Sequence, residues 1–298
     1  MEIDTQTSEV VVISMNPNSG ATDRRAVVEK LMACLTEQNF EVLLLTDINE
    51  VVEVVGQLFG GRLRCVVAAG GDGTISLLAN QLPENTPLAI LPLGTENLLA
   101  KYLGVSGDPA ALANMIVAGD CRQLDVGRAN GKLFLVMASC GFDADVVRRL
   151  HHQRTGHIRH WSYAKPVVSS IRKYKYPKIR ISVESKDGRQ LNASPRWAFI
   201  FNVPRYAMNL PIAAEADPED GVLDLCTFRG GSLFRGLFYL IAVLLRRHKN
   251  WTNSKLYRFT KLTMESDEEV PYQLDGDPGG KLPLTIEVVK GGVTLIVP

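Results

Sequence analysis

Over the first 120 residues, short apolar runs alternate with stretches whose apolar residues recur every three or four positions. VVVISMN, EVLLLT, RCVVAAG and PLAILPL read as strands. Between the first two, Val28, Leu31, Met32 and Leu35 mark one face of a helix expected over Asp23 to Asn39. Further helices are expected over Asp47 to Phe59, Thr74 to Gln81, Glu96 to Leu103 and Pro109 to Ala118. Strands with no polar alternation must be covered on both faces. The pattern therefore predicts a parallel sheet between helices, a three-layer α/β domain with its ligand edge at the strands' carboxyl ends.

Beyond residue 120 the pattern changes to short strands separated by turn residues. QLDVGRANGKLFLVMAS reads as two runs joined at Asn130-Gly131, and KIRISVESKDGRQLNAS repeats the arrangement at Asp187-Gly188. RWAFIFNV, GVLDLCTF, KLTMES, YQLDGD and LTIEVV continue it, as an antiparallel sandwich would. The expected division is an α/β domain over 1–127 and an all-β domain over 128–290. The closing VTLIVP, about 291–298, is able to return to the first domain.

Charge adds a polarity that the net value of +1 conceals. Val146 to Arg180 holds ten Lys or Arg, four His and no acid; Arg229 to Leu262 holds eight Lys or Arg and no acid. Each block alone reads as a solvated basic face. Together, with Trp161, Tyr174, Tyr176 and Trp251 interleaved and an apolar helix in SLFRGLFYLIAVLLRRHKNW, they suggest an anionic membrane surface as a peripheral partner. No helix-turn-helix, finger or RNA-binding signature accompanies them, so nucleic acid is not expected. His151, His152, His157 and His160 lack a neighbouring cysteine or acid and belong with the basic face. The five cysteines are scattered without a CxxC pair, the start lacks a signal-peptide pattern, and no apolar run reaches the ~20 residues of a spanning helix. A cytoplasmic protein is expected.

The chemistry concentrates in turns. CVVAAGGDGTISLLAN sets Asp72 among Gly70, Gly71 and Gly73 where a strand hands over to a helix. Glycines without Cβ atoms and the first amides of a helix make a phosphate cradle, and a carboxylate there implies a cation beside the phosphate. An ordinary βα turn with a capping Asp explains the same letters equally well. Neither GxxxxGK[ST] nor GxGxxG is present. NPNSG, from Asn16 to Gly20, and PLGTEN, with Gly94, Thr95 and Asn97, end two other strands of the same sheet.

The series NPNSG, GGDGT, PLGTEN, LDVG (Leu124 to Gly127), GFDADV (Gly141 to Val146), EDGVLDL (Glu219 to Leu225) and LDGDP (Leu274 to Pro278) resembles the diacylglycerol kinase catalytic-domain superfamily. That group includes bacterial diacylglycerol kinases, sphingosine kinases and ceramide kinases. The resemblance implies a nucleotide domain like those of NAD kinases and diacylglycerol kinases, a lipid-binding β-sandwich, and ATP in a cleft between them. ATP and Mg2+ are the implied cofactors. The resemblance implies nucleotide contacts from Asn16, Pro17, Ser19, Gly20, Thr46, Gly70, Gly71, Asp72, Gly73, Thr74, Gly94, Thr95 and Asn97. It implies a magnesium network at Asp72 and Asp125, and a second cation at Asp220 with the backbone oxygens of Asp217 and Val222. Asp275 and Asp277 fall on the carboxylate positions that supply the base, where the family usually has LDGE. Asp72 completes the catalytic set.

Two positions separate the substrate classes. The bacterial diacylglycerol kinases usually carry an Asp where this chain has Leu98, as sphingosine kinases do not. Asp145 falls where sphingosine kinases place an acid that reads the lipid head group; an acid in a helix's first turn is the plain alternative. The activity implied is transfer of the ATP γ-phosphate to a hydroxyl of a diacylglycerol-like lipid. A sphingoid-base or other lipid kinase and a non-catalytic lipid-binding module are the alternatives, and a homodimer is left open.

Overall fold

The structure, a computed structural model, describes residues 8–15, 24–152, 174–204, 213–230 and 254–298. It divides into two compact units, Met1–Leu124 with Gly291–Pro298, and Asp125–Lys290. The sequence-based boundary at Gly127 and this division fall within one strand. NPNSG and SLFRGLFYLIAVLLRRHKNW lie outside the described residues.

The first unit contains β1 (Val10–Met15), α1 (Arg25–Glu37), β2 (Glu41–Leu45), α2 (Ile48–Leu58), β3 (Leu63–Gly70), α3 (Asp72–Gln81), β4 (Pro87–Pro92), α4 (Leu98–Leu103) and α5 (Pro109–Ala118). Its strands run parallel in the order β2-β1-β3-β4, with Thr294 and Leu295 adding a further parallel strand beside Pro87 and Leu88. Val11 and Ile13 of β1 pack with Val28, Leu31 and Leu35 of α1 and Leu112 and Ile116 of α5. Val10 and Val12 point the other way and are also buried, as are Val51 and Val55 of α2. Burial on both faces is why these strands carry no polar alternation. Two helices start on side-chain caps: Asp47 accepts from the Asn49 amide, and Asp108 from the Ala111 amide with Pro109 in the first turn.

The second unit, which shares its first and last strands with the first unit, contains β5 (Cys121–Ala129), β6 (Lys132–Phe134), β7 (Met137–Cys140), α6 (Phe142–His152), β8 (Arg180–Glu184), β9 (Gln190–Ala193), β10 (Trp197–Phe201), β11 (Leu223–Phe228), β12 (Ser254–Phe259), β13 (Lys261–Glu265), β14 (Pro271–Leu274), β15 (Asp277–Lys281) and β16 (Leu284–Ile296). One antiparallel layer runs β16-β13-β8-β9, with the β5–β6 hairpin joined at β16; the other runs β12-β11-β10-β7-β14-β15. Ile181, Val183, Leu262, Met264 and Ile286 of the first layer share a core with Ala138, Cys140, Ile200, Leu225 and Leu274 of the second. The expected α/β domain with an antiparallel β-sandwich is therefore what the chain forms.

Local boundaries differ from the sequence reading where side chains intervene. GKLFLVMAS is not one strand: Phe134 ends β6 in one layer and Met137 begins β7 in the other. LTIEVV and VTLIV are one continuous strand, β16, with Gly291 in the left-handed region (φ 57°). Helix α3 starts at Asp72 rather than Thr74, and α4 at Leu98 rather than Glu96. Asn97 precedes α4 in a left-handed conformation (φ 49°, ψ 53°) that no helix continues through.

Candidate functional site

In the first unit the parallel register sends the carboxyl ends of all its strands to one edge. Thr46, exposed, follows β2; Gly70 ends β3; Gly94, Thr95 and Asn97 follow β4. The amides of Leu93 and Gly94 both donate to the Gly70 carbonyl, at 2.8 and 3.1 Å, so the loop after β4 is laced to the end of β3. The glycine-rich turn and PLGTEN thus meet. Asn16, Pro17, Ser19 and Gly20 lie outside the described residues.

The glycines are required here for space rather than for left-handed backbone. Gly71, at the N-terminus of α3, is extended (φ −101°), and Gly70, Gly73 and Gly94 are likewise outside the positive-φ set. A Cβ on Gly71 would stand 3.1 Å from Gly94 Cα, and one on Gly94 would stand 2.5 Å from Gly71 Cα. A Cβ on Gly70 would strike the side chain of Thr74, which is buried. The two loops touch backbone to backbone, which brings the open amides of the α3 first turn to the strand edge.

Asp72 does not stand in that turn as a free carboxylate. Its Oδ2 accepts from the Leu98 amide at 2.9 Å and its Oδ1 from the Leu99 amide at 3.1 Å, so it caps α4 from another helix. Burial raises its pKa; the two amide bonds and Lys101 oppose the rise without cancelling it. Asn97 completes the junction. Its Nδ2 donates to the carbonyls of Pro92 (3.2 Å) and Gly94 (2.9 Å), which turns its Oδ1 toward the Gly71–Gly94 junction. That Oδ1 is buried with no partner. An orphaned acceptor beside a Cβ-free backbone junction fits a ligand that brings its own donor, as a nucleotide does.

In the second unit the sequence reading of LDGDP resolves into two different carboxylates. Asp275 and Gly276 form the two-residue loop between β14 and β15, both with positive φ (50° and 87°), the mirror-image turn that an Asp-Gly pair favours. The Asp275 carboxylate accepts from three successive amides, those of Leu135 (2.8 Å), Val136 (2.9 Å) and Met137 (3.0 Å). These are the amides released where the chain leaves one layer for the other. Asp275 is thereby a structural anchor. Asp277, one pleat on, begins β15 and is half-buried.

Asp125 and the EDG turn also form one unit of structure. The buried Asp125 Oδ2 accepts from the Gly221 amide at 2.7 Å, and its own amide donates to the Pro218 carbonyl at 2.6 Å. Asp220 Oδ1 accepts from the Val222 amide at 3.1 Å, while its Oδ2 meets the Arg258 guanidinium. Lys186 Nζ donates to the Asp220 carbonyl at 2.8 Å. Asp217 accepts from the Glu219 amide. Ser185, Lys186, Asp187, Asp220, Val222 and Arg258 line a cavity of about 440 Å³. Arg258, Lys186 and the Val222 amide already occupy the oxygens of Asp220, so Asp217, Asp220 and Val222 as arranged do not fit a directly held divalent cation. Among the described residues no group of three or more His, Cys, Asp or Glu is placed to hold a metal ion.

Asp145, in the first turn of α6, is buried and accepts from Arg148 (2.7 Å) and Arg149 (2.6 Å) one turn along the same helix. Reaching it from outside means parting those pairs. The sequence reading passed over Ser139, Asp143 and Gln273, which form a partly buried chain of hydrogen bonds behind the Asp275–Gly276 loop. Ser139 and Gln273 sit in ordinary strand contexts, and Asp143, though it lies within GFDADV, is assigned no role there.

Two family models match: the diacylglycerol kinase catalytic domain over residues 9–129, and the YegS C-terminal NAD kinase beta sandwich-like domain over residues 136–297. The chain belongs to the diacylglycerol kinase catalytic-domain superfamily. It is 25% identical to the diacylglycerol kinase of Bacillus subtilis (strain 168) over 226 residues, 73% of this chain and 72% of that one. It is 22% identical to a Shewanella frigidimarina protein named "Probable lipid kinase YegS-like" over 91% of this chain and 89% of that one. A crystal structure of a diacylglycerol kinase from Bacillus anthracis str. Sterne superposes with a TM-score of 0.68 over 99% and 98% of the two chains at 20% identity, a likeness of fold.

Proposed function

We propose that this chain is an ATP-dependent lipid kinase that transfers the γ-phosphate to a hydroxyl of a diacylglycerol-like lipid. The carrying observation is the junction of Gly71 with Gly94, which leaves helix amides and an orphaned Asn97 Oδ1 at the strand edge of a chain from this superfamily. In this reading the α3 amides take the phosphates, with Gly70, Gly73 and Thr74 shaping the turn, and Thr46 and Thr95 line the same edge. Phosphoryl transfer asks mainly for positioning and charge neutralisation, which such amides supply. Mg2+, when bound, would add neutralisation of the phosphate oxygens. Asp72, occupied by two amides, would hold it at most through water.

Asp277 is assigned as the base for the lipid hydroxyl on its match to the second carboxylate position of LDGDP, while Asp275 serves to hold three backbone amides. Asp125 holds the 218–221 turn in shape. The pairing of Asp145 with Arg148 and Arg149 favours a diacylglycerol-like acceptor over a sphingoid base, whose amine would have to displace them. The protein would work peripherally at an anionic membrane from the cytoplasm: Lys175, Lys178 and Arg180 are exposed, and no helix among the described residues is long and apolar enough to cross a membrane. Labelled ATP offered with a lipid panel, the product identified by mass, tests the reading. Turnover with a soluble alcohol alone, or none with any lipid, would overturn it.

A further inference from the structure

A one-directional chain of hydrogen bonds, buried at its centre, stands behind the Asp275–Gly276 loop. Ser139 Oγ lies 2.6 Å from Asp143 Oδ2, Gln273 Nε2 lies 3.1 Å from Ser139 Oγ, and the Gly276 amide donates to Gln273 Oε1 at 2.8 Å. Ser139 and Gln273 are sealed from solvent, at 0% and 1% exposure. Asp143 lies in the first turn of α6, where the helix end favours its ionised form.

The order of donors follows from this charge. A carboxylate only accepts, so the single hydroxyl proton of Ser139 goes to Asp143. Ser139 then has only lone pairs for its other neighbour, so Gln273 must turn its NH2 toward it. The second Gln273 N–H meets Met137 Sδ at 2.7 Å. The Gln273 carbonyl oxygen is left facing Gly276, the one group that needs an acceptor there. The charge on Asp143 thus sets the orientation of an amide two links away, and that amide fixes the loop from which Asp277 projects.

We propose that Asp143, Ser139 and Gln273 act as positioning residues, a polarised relay that sets the Asp275–Gly276 loop and with it the carboxylate of Asp277. This rests on the reading of Asp277 as the base. The relay makes a signed prediction. Asp143→Asn removes the constraint, because its amide is able either to accept from Ser139 or to donate to it; in the second order Ser139 donates to Gln273 and turns its NH2 against the Gly276 N–H. Gln273→Glu places two carboxylates on a single hydroxyl proton. Together the changes restore complementarity. The amide introduced at position 143 donates to Ser139, Ser139 donates to the carboxylate introduced at position 273, and that carboxylate still accepts from Gly276.

The full-length chain is assayed with ATP and whichever lipid the wild type phosphorylates. Each single change is expected to lower kcat about tenfold or more, with the KM for ATP within about twofold. The double variant recovers to within about threefold of wild type, a non-additivity that loss of packing alone does not produce. Amide exchange over residues 273–277 is expected to quicken in each single variant and slow again in the double. Additive losses in the double, or wild-type kcat and exchange in both singles, overturn the relay. If the wild type phosphorylates no lipid, the kinase reading falls, and the exchange pattern alone then decides the relay.

Discussion

The backbone amide of Leu98 donates to the Asp72 carboxylate at 2.9 Å, across 26 positions of sequence. Leu98, at the position where the resemblance to bacterial diacylglycerol kinases would place an Asp, thus meets the GGDGT acid through its main chain. With Leu99 on the other oxygen, the contact caps α4 and ties the loop after β4 to the glycine-rich turn. Asp72→Ala is expected to cost about 1–2 kcal/mol of stability, as for loss of a cap, and to abolish ATP turnover. Thermal unfolding and an ATPase assay check both. Unchanged turnover would separate Asp72 from catalysis.

The raised pKa of Asp72 gives this contact a pH signature. A carboxyl with a folded-state pKa above its unfolded value of about 4 contributes stability that is complete below that value and is lost as pH rises through the folded one. The stability of wild type relative to Asp72→Asn should therefore fall as pH rises from about 3 toward neutrality. Denaturant titrations across that range measure the difference, and one that grows with pH would contradict the burial argument.

The closeness of Gly71 to Gly94 predicts a loss confined to nucleotide binding. A methyl group on either residue must push the two backbones apart, since its nearest neighbours include main chain, which has no rotamer to yield. Gly94→Ala is expected to weaken ATP binding by about tenfold or more, as a misplacement disturbs aligned groups, and Gly71→Ala, whose Cβ asks for a smaller shift, by less. Calorimetric titration with ATP reads this directly; Gly56→Ala, with open space around its Cβ position, is the control.

Asp275 and Asp277 should separate cleanly in mutagenesis. Removing the Asp275 carboxylate strands the amides of Leu135, Val136 and Met137, and an unsatisfied buried amide costs about 1–3 kcal/mol. Asp275→Ala is therefore expected to lower stability by about 3 kcal/mol or more. Asp277→Asn is expected to lower kcat by about a hundredfold or more with little change in unfolding, as for loss of a general base. The reverse pattern would exchange their roles.

What could be read from the letters followed from periodicity and turn chemistry. The parallel strands of the first unit announce themselves because both faces are buried, so Val10, Val11, Val12 and Ile13 are all apolar. Asn130-Gly131 marked its hairpin because both residues take positive φ there. What escaped depends on contacts distant in sequence. The break between β6 and β7 is held by Asp275, 140 residues beyond Leu135, and the continuous apolar run gives no hint of it. Nor does the motif GGDGT reveal that its acid serves α4, since the partner amides belong to backbone and carry no side-chain signature. Gln273 looks like any strand residue because its role depends on Ser139 and Asp143 across the sheet.

The turn at Asp220 yields the last expectation, on metal dependence. Arg258 meets one carboxylate oxygen, the Val222 amide the other, and Lys186 takes the backbone carbonyl, while the side chain of Lys290 passes close to Gly221. A divalent cation arriving here would meet an Asp220 whose oxygens are already taken by Arg258, Lys186 and the Val222 amide. In the absence of nucleotide, millimolar Mg2+ should therefore leave the thermal midpoint of the wild type unchanged. Arg258→Ala uncovers Asp220, and in that variant Mg2+ should raise the midpoint by a few degrees, about 2–4 °C for each kcal/mol of linked binding. Differential scanning calorimetry with and without Mg2+ makes the comparison; a midpoint of the wild type that already rises with Mg2+ would mean that Arg258 gives way to the ion.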